Sequence, residues 1–328
     1  MQRVLVIITN PRQASFRLRI DALRPLLAER GFELEVQVRP RALLARRKLL
    51  RSAGRYHAVL LQRKLLDPSD AMLLRRSARR IVFDIDDAVM FHAHGVGLLS
   101  RWRTNRRFEA TARVLDHVVA GNEYLAQMFR QRGPGVTVLP TCVNPSDYRV
   151  KQHARGEADG PVGLVWIGSG STMLYLAEQL PAIREAAKQT PIRLITIADR
   201  PLDDAGLPVQ HVTWSLETEA AALLHGDIGI GPTPDDRWTR GKCGFKLIQY
   251  MAAGLPVIAS PVGANAQIVR PGETGLLATT AAQWTEAIVR LAGDLELRKQ
   301  MGQAGRERVE CEYSISRAAA VWAGLLAQ

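Results

Sequence analysis

Two successive stretches of this chain repeat one rhythm: a short apolar run, a glycine-bearing or polar turn, and an amphipathic helical segment. That repeat limits the fold more than any other feature. In the first half, residues 4–9, 34–38, 58–62, 81–84, 118–120 and 136–139 read as strands, and residues 17–30 read as an amphipathic helix. A polar, aperiodic stretch at 151–160, KQHARGEADG, is the best linker. Strands resume at 162–167, 194–198, 209–213, 228–230 and 257–259. Strands joined through helices build parallel, doubly wound sheets. The expected fold class is therefore α/β with two Rossmann-like domains, over residues 1–155 and 156–312. Ligands of such sheets bind beyond the carboxyl ends of the strands, which predicts an interdomain cleft. Residues after Trp284 are mostly helical with a break at Tyr313 and Ser314, so residues 313–328 are expected to form a helix that crosses back to the first domain.

With 328 residues, two cores are the natural expectation. No run approaches the roughly 20 apolar residues of a membrane helix, and the first residues turn polar too soon for a secretory signal, which predicts a cytoplasmic protein. Three scattered cysteines, without CxxC spacing, indicate neither a zinc site nor a disulfide framework.

The net charge of +12 is unevenly placed. Residues 1–150 hold 27 Lys+Arg against 13 Asp+Glu, while residues 151–328 hold 17 against 19. Arginine clusters at 41–55, 75–80 and 101–107 suit an anionic membrane leaflet, a lipid-linked phosphate or nucleic acid; a generic basic surface is the alternative. No RNA-binding signature or interleaved aromatic residues accompany the charge, so nucleic acid is the weaker partner.

Residues 241–260, GKCGFKLIQYMAAGLPVIAS, combine glycines, two lysines, an amphipathic helix, a Gly-Leu-Pro turn and a buried strand. Phe245, Ile248, Met251 and Ala252 share a helix face, and Gly254 with Pro256 ends it. Gly241 and Gly244 would let a ligand approach the backbone, with Lys242 and Lys246 beside the positive end of the helix dipole. A phosphate suits that position; a plain turn with solvated lysines is the alternative.

The second half resembles glycosyltransferase family 4, of GT-B fold, through WIGSGST at 166–172, HGDIGIGPTPDD at 225–236, residues 241–263, RPGETGLLA at 270–278, and Trp284 through GRERVE at 305–310. Fainter matches in the first half are FRLR at 16–19, FDIDDAV at 83–89, VAGNEYLA at 119–126 and LPTCVNPSDY at 139–148. The resemblance implies a nucleotide-sugar donor held by the C-terminal domain, a saccharide or lipid-linked acceptor held by the N-terminal domain, and retained anomeric configuration. It also implies no cofactor and no metal. A departing diphosphate needs positive charge or oriented N–H groups, which Lys242, Lys246 and the turn Gly168, Ser169, Gly170, Ser171 can supply. Trp214 follows a strand and can flank the base or fill core.

Family members place two glutamates eight positions apart, where this chain has Gly241 and Gln249. An amide can still bond ribose hydroxyls. A glycine cannot replace a carboxylate, which leaves Asp235 or Asp236 as the nearest acids, or a binding module without transferase activity. Where relatives use a histidine, this chain has Asp86 and Asp87, followed by His92 and His94. A carboxylate there can accept the acceptor's proton or stabilise positive charge on the sugar, or Asp84 and Asp86 can cap a turn or pair with arginines. Arg17 and Arg19 are candidates to reach a phosphate, or are surface charges of the first helix. The expected protein is a cytoplasmic glycosyltransferase, peripheral on the inner membrane face, that builds cell-surface glycans.

Overall fold

A computed structural model describes residues 1–91, 97–152, 160–203 and 206–328. The chain divides into two compact units. The first comprises Met1–Cys142, Asp236–Cys243 and Ile315–Gln328, and the second comprises Val143–Asp235 and Gly244–Ser314.

Six parallel strands form the first unit's sheet: β1 (Gln2–Ile8), β2 (Phe32–Val38), β3 (Ala58–Gln62), β4 (Ile81–Ile85), β5 (His117–Ala120) and β6 (Gly135–Val138). Their order is β2-β1-β3-β4-β5-β6. Alternate residues bury on opposite faces, as the two-residue period of a strand requires. Leu5, Ile7, Val59, Leu61 and Phe83 pack under α3 (Leu43–Arg51), α4 (Pro68–Ser77), α5 (Leu98–Ala112) and α6 (Glu123–Arg130). Val4, Val6, Leu60 and Val82 pack against α1 (Ala14–Arg19), α2 (Arg24–Glu29) and the C-terminal helix Ile315–Leu326, whose Trp322 is 1% exposed.

The second unit repeats the plan with β7 (Val162–Ile167), β8 (Ile192–Ala198), β9 (Val209–Thr213), β10 (Ile228–Gly231), β11 (Val257–Ala259) and β12 (Gly275–Leu277). The order is β12-β11-β10-β7-β8-β9, again parallel. One face is covered by α7 (Met173–Ala177), α8 (Leu180–Ala187) and α12 (Ala281–Gly293). The other is covered by α9 (Glu219–Ala222), α10 (Phe245–Ala252), α11 (Asn265–Ile268) and α13 (Leu295–Glu312).

The structure differs from the sequence expectations in three places. The single helix expected over 17–30 is two helices with a 3-10 turn at Asp21–Leu23 between them. Pro25, which has no N–H to give, opens the second of these. Strand β12 has only three residues, too few to show a period. The division into units falls at Cys142 instead of residue 155, and the strap Asp236–Cys243 leaves the second half of the sequence to join the first unit. The linker expected at 151–160 falls mostly on residues outside those described.

Candidate active site

In a doubly wound sheet the functional position lies at the carboxyl ends of the strands, where the winding direction reverses. In the first unit that point is between β1 and β3, because β2 lies on one side of β1 and β3 to β6 on the other. Gln62 and Arg63 end β3 there, and Asp84, Asp86 and Asp87 stand at or beyond the end of the neighbouring β4.

The innermost part is an ion pair. Arg19 is 3% exposed, and its Nε lies 3.0 and 3.1 Å from the two Asp84 oxygens while Nη2 lies 2.6 Å from Oδ1. Its Nη1 donates to the Leu139 carbonyl at 2.9 Å and the Thr141 hydroxyl at 3.3 Å. Gln62 Nε2 donates to the Ser15 carbonyl and to Asp84. Burial works against the Arg19 charge, but Asp84 outweighs it and raises the guanidinium above its ordinary value. Arg19 is therefore a strut between α1, β4 and the chain after β6, not a side chain reaching for phosphate; its fork is already filled by carboxylate and carbonyl. Arg17 stays half-buried on α1.

Arg63 is the residue that sequence reasoning missed. It has φ 53°, the one left-handed backbone among non-glycine residues described. Holding a non-glycine residue there costs on the order of 1–2 kcal/mol, a strain found at functional positions. The turn aims its guanidinium at three partners: the Ser15 hydroxyl at 3.0 Å, Asp87 Oδ2 at 3.1 Å, and Asp86 Oδ1 at 3.4 Å. The last contact is not aligned as a hydrogen bond, so Asp86 Oδ1 is a buried acceptor without a bonded partner. Burial pushes the Asp86 carboxyl up to about 6, against the pull of Arg63 and Arg19. Asp87 is more exposed and its Oδ1 accepts from the Ala88 amide. His92 and His94 lie outside the described residues.

The strap Asp236–Cys243 packs beside this cluster. Asn122, at the N-cap of α6, donates from Nδ2 to the carbonyls of Arg240 (3.1 Å) and Lys242 (2.9 Å). Lys242 Nζ lies 5.5 Å from the centre of the Trp238 ring. Asp236 caps the strap's own turn, accepting from the amides of Trp238 and Thr239. A Cβ at Gly241 would overlap Ala88 Cβ and come within 2.9 Å of the Ala88 amide nitrogen. Close approach of two backbones thus explains the glycine at the place where the family resemblance implies glutamate. Gly241→Glu, which reinstates that carboxylate, is expected to lower stability by about 1–3 kcal/mol through overpacking and to leave activity no higher than before. Thermal unfolding and nucleotide release of the variant check both.

In the second unit the winding reverses between β7 and β10. The turn after β7 lies there. Gly168 is required by its neighbours, since a Cβ would stand 2.5 Å from the Trp166 ring and 3.0 Å from the Thr172 hydroxyl. The Gly170 N–H donates to Asp199 at 2.5 Å and its carbonyl accepts from Arg200 at 3.0 Å. That amide is consequently engaged by a carboxylate, which corrects the expectation that it is available to a diphosphate. Ser169 and Ser171 share a hydroxyl bond of 2.8 Å at the exposed rim. Lys246, on the first turn of α10, holds its ammonium 4.7 Å from the centre of the Trp166 ring. The α10 helix starts at Gly244, whose φ is 62°.

Two other candidates sit differently from the sequence reading. Gln249 is 3% exposed and donates to the Tyr148 hydroxyl at 3.3 Å, so its amide faces core and not a ribose. Trp214 is 38% exposed, with Nε1 donating to Glu219 at 2.7 Å, which makes it a rim residue and not core.

Residues 162–294 match the family model described as Glycosyl transferases group 1. Over these residues, under half of the chain, the sequence is similar to group 1 glycosyl transferases. A phosphatidyl-myo-inositol mannosyltransferase of Mycobacterium leprae (strain TN) is 29% identical over 145 residues, covering 42% of this chain and 38% of that relative. The match thus spans well under half of either protein. The fold carries further than the sequence. Sucrose-phosphate synthase from Thermosynechococcus elongatus superposes with a TM-score of 0.76 at 19% identity, over 99% of this chain and 98% of its own. Anabaena HepE, solved in complex with UDP-glucose, superposes with a TM-score of 0.73 at 14% identity over 100% of both chains. Two six-stranded parallel sheets covered by helices are the GT-B architecture of these glycosyltransferases.

Proposed function

We propose that this protein is a retaining, metal-independent glycosyltransferase that moves a sugar from a nucleotide sugar to a saccharide or lipid-linked acceptor in cell-surface glycan biosynthesis. The observation that carries this reading is Asp86, a buried carboxyl held near 6 at the switch point of the first sheet with one oxygen unbonded. Such a group is ionised at neutral pH, yet basic enough to take a proton from an acceptor hydroxyl. Arg63, itself held by Ser15 and Asp87, stands beside it at 3.4 Å. The acceptor oxygen bonds to the anomeric carbon on the same face from which the phosphate oxygen departs, so configuration is retained, and the nucleoside diphosphate leaves with the electron pair of the broken bond. The proton goes to Asp86. Within the second unit, Lys246 and the hydroxyls of Ser169 and Ser171 are the groups suited to the negative charge of a nucleoside diphosphate. Lys242, on the strap, is a second cation for phosphate.

Lys246→Ala is expected to raise the KM for the donor about 10- to 100-fold, the loss of one charge-assisted contact, with KM and kcat measured by nucleotide release. EDTA is expected to leave the wild-type rate unchanged. A UDP-sugar is the first donor to test, because HepE was solved with UDP-glucose; GDP- and ADP-sugars follow. The burial of Gln249 and the glycine at 241 favour a second reading, a nucleotide-sugar-binding module without transfer. Wild type that is thermally stabilised by the donor yet releases no nucleotide with any acceptor would establish it.

We place the protein in the cytoplasm, peripheral on an anionic inner membrane face, with the excess positive charge of residues 1–150 in support. Among the described residues no helix is long and apolar enough to cross a membrane.

A further inference from the structure

Helix α5 is apolar on two opposite faces. Its inner face is fixed to the first unit's core: Phe108 meets Phe129 edge-on with ring centres 5.2 Å apart, and the Thr111 hydroxyl accepts from the Leu66 amide at 2.7 Å. Arg107 clamps the flank by pairing with Asp67 at 2.7 Å. On the outer side of its first two turns stand Leu98, Leu99 and Trp102, exposed by 83%, 61% and 57%. With 100° per residue, these three fall within one 100° sector, roughly opposite Phe108 and Thr111. Exposed Arg101, Arg103 and Arg106 border them, and the Arg106 guanidinium lies 5.4 Å from the centre of the Trp102 ring. Among the described residues none of these three arginines pairs with a carboxylate.

A second apolar step lies on α3. Leu44 is 82% exposed and Leu43 48%, beside exposed Arg41 and half-buried Arg47. Helices α3, α4 and α5 cover the same face of one parallel sheet, so all three run antiparallel to its strands and begin at the same end. That end is the carboxyl end, where Arg63, Asp86 and Asp87 lie. With α4 between them at ordinary helix spacing, the two leucine pairs are roughly 20 Å apart.

We infer that the first turns of α5 and α3 form an interfacial anchor, whose leucines and Trp102 insert into an anionic phospholipid bilayer while the flanking arginines bind its headgroups. Surface charge alone needs no exposed leucines, and a solvated helix has no use for three large apolar residues on its outer side. Together, apolar insertion and headgroup charge are the two signals that stable peripheral attachment requires, with tryptophan at the headgroup level. The anchor deepens the proposal of a lipid-linked acceptor, because it turns the strand ends carrying Asp86 toward the leaflet that holds such an acceptor.

The test uses the full chain and vesicles of phosphatidylcholine alone or mixed equally with phosphatidylglycerol. Wild type is expected to co-sediment with the mixed vesicles. The triple variant Leu98→Ser, Leu99→Ser, Trp102→Ser is expected to bind about tenfold more weakly, and Arg101→Ala with Arg103→Ala and Arg106→Ala at least as much. Acyl-chain-brominated phosphatidylglycerol is expected to quench tryptophan emission in wild type but not in Trp102→Phe, which reports insertion without depending on the triple variant's folding. Undiminished binding of the serine variant, or no quenching, overturns insertion and leaves charge alone. A concentration-dependent dimer in lipid-free sedimentation, abolished by the serine variant, assigns the face to a second copy and also overturns it. Nucleotide release toward a soluble saccharide acceptor is expected to be equal in wild type and the serine variant. Failure of the transferase reading shows as no release by wild type, whatever the vesicles report.

Discussion

Replacing Asp86 by asparagine is expected to make the protein more stable at pH 8 while removing most of the proposed transferase activity. The stability half follows from burial. The Asp86 carboxyl is raised to about 6 from an ordinary value of 3.8, first because it is buried, with Asp84 and Asp87 adding repulsion. Folding therefore favours its neutral form. Between about pH 4 and pH 6 the folded state binds more protons here than the unfolded chain, so stability falls as pH rises through that window. Above about 6 the full cost is present, on the order of 3 kcal/mol for a shift of about two pH units. Asparagine has nearly the same shape and no charge to desolvate, and Arg63 keeps Asp87 as its partner. The gain is expected in thermal unfolding at pH 8 and is expected to vanish at pH 4. The activity half follows from lost proton acceptance, about 10²- to 10⁴-fold in kcat. Wild-type kcat/KM is expected to fall about tenfold for each pH unit below 6, a limb that Asp86→Asn lacks. An asparagine variant that is both less stable at pH 8 and as active as wild type would remove Asp86 from the mechanism.

That prediction depends on features of different legibility. The apolar runs that became β1 to β11 could be read from the chain because each is bounded by turn residues, and the central ones, such as β3 and β4, are buried on both faces. Fold class followed from their alternation with helices. Asp86 and Asp87 could be singled out because FDIDDAV places them where the family resemblance implies a histidine. Arg63 could not, since a left-handed φ leaves no mark on an arginine codon and its partners lie 23, 24 and 48 positions away in sequence. The strap was illegible for the same reason. Its eight residues follow a strand of the second sheet, yet Asn122 fastens them to the first unit through backbone carbonyls that no sequence pattern encodes. Arg19 shows the opposite error. Placed after the first strand within FRLR, it suggested a phosphate ligand, but the two positions between Arg17 and Arg19, about 200° of helix, separate a half-buried arginine from one that faces core.

Arg19→Ala is expected to be among the most damaging single changes in the first unit. Its removal leaves the Asp84 carboxylate, 0% exposed, with only the Gln62 amide at 3.3 Å. It also strips the Leu139 carbonyl of a donor. An uncompensated buried charge of this kind costs about 3–5 kcal/mol, far more than an exposed pair, because desolvation of the remaining ion is no longer offset. For a unit of this size the midpoint of its thermal transition is expected to drop by about 10 °C. Repulsion is what a lone Asp84 then adds to Asp86, so the Asp86 carboxyl moves further up and the acid limb of the pH profile moves with it, since both Arg19 and Asp84 act on that group. Two further variants separate structure from charge. Asp84→Asn alone leaves Arg19 buried without its counter-ion and is expected to destabilise comparably. Arg19→Met with Asp84→Leu removes both ions and fills the space, and is expected to recover at least half of the loss, while donor KM in the second unit stays at the wild-type value. Recovery of stability without recovery of the pH profile would show that the pair sets the charge on Asp86 as well as holding α1 to the sheet.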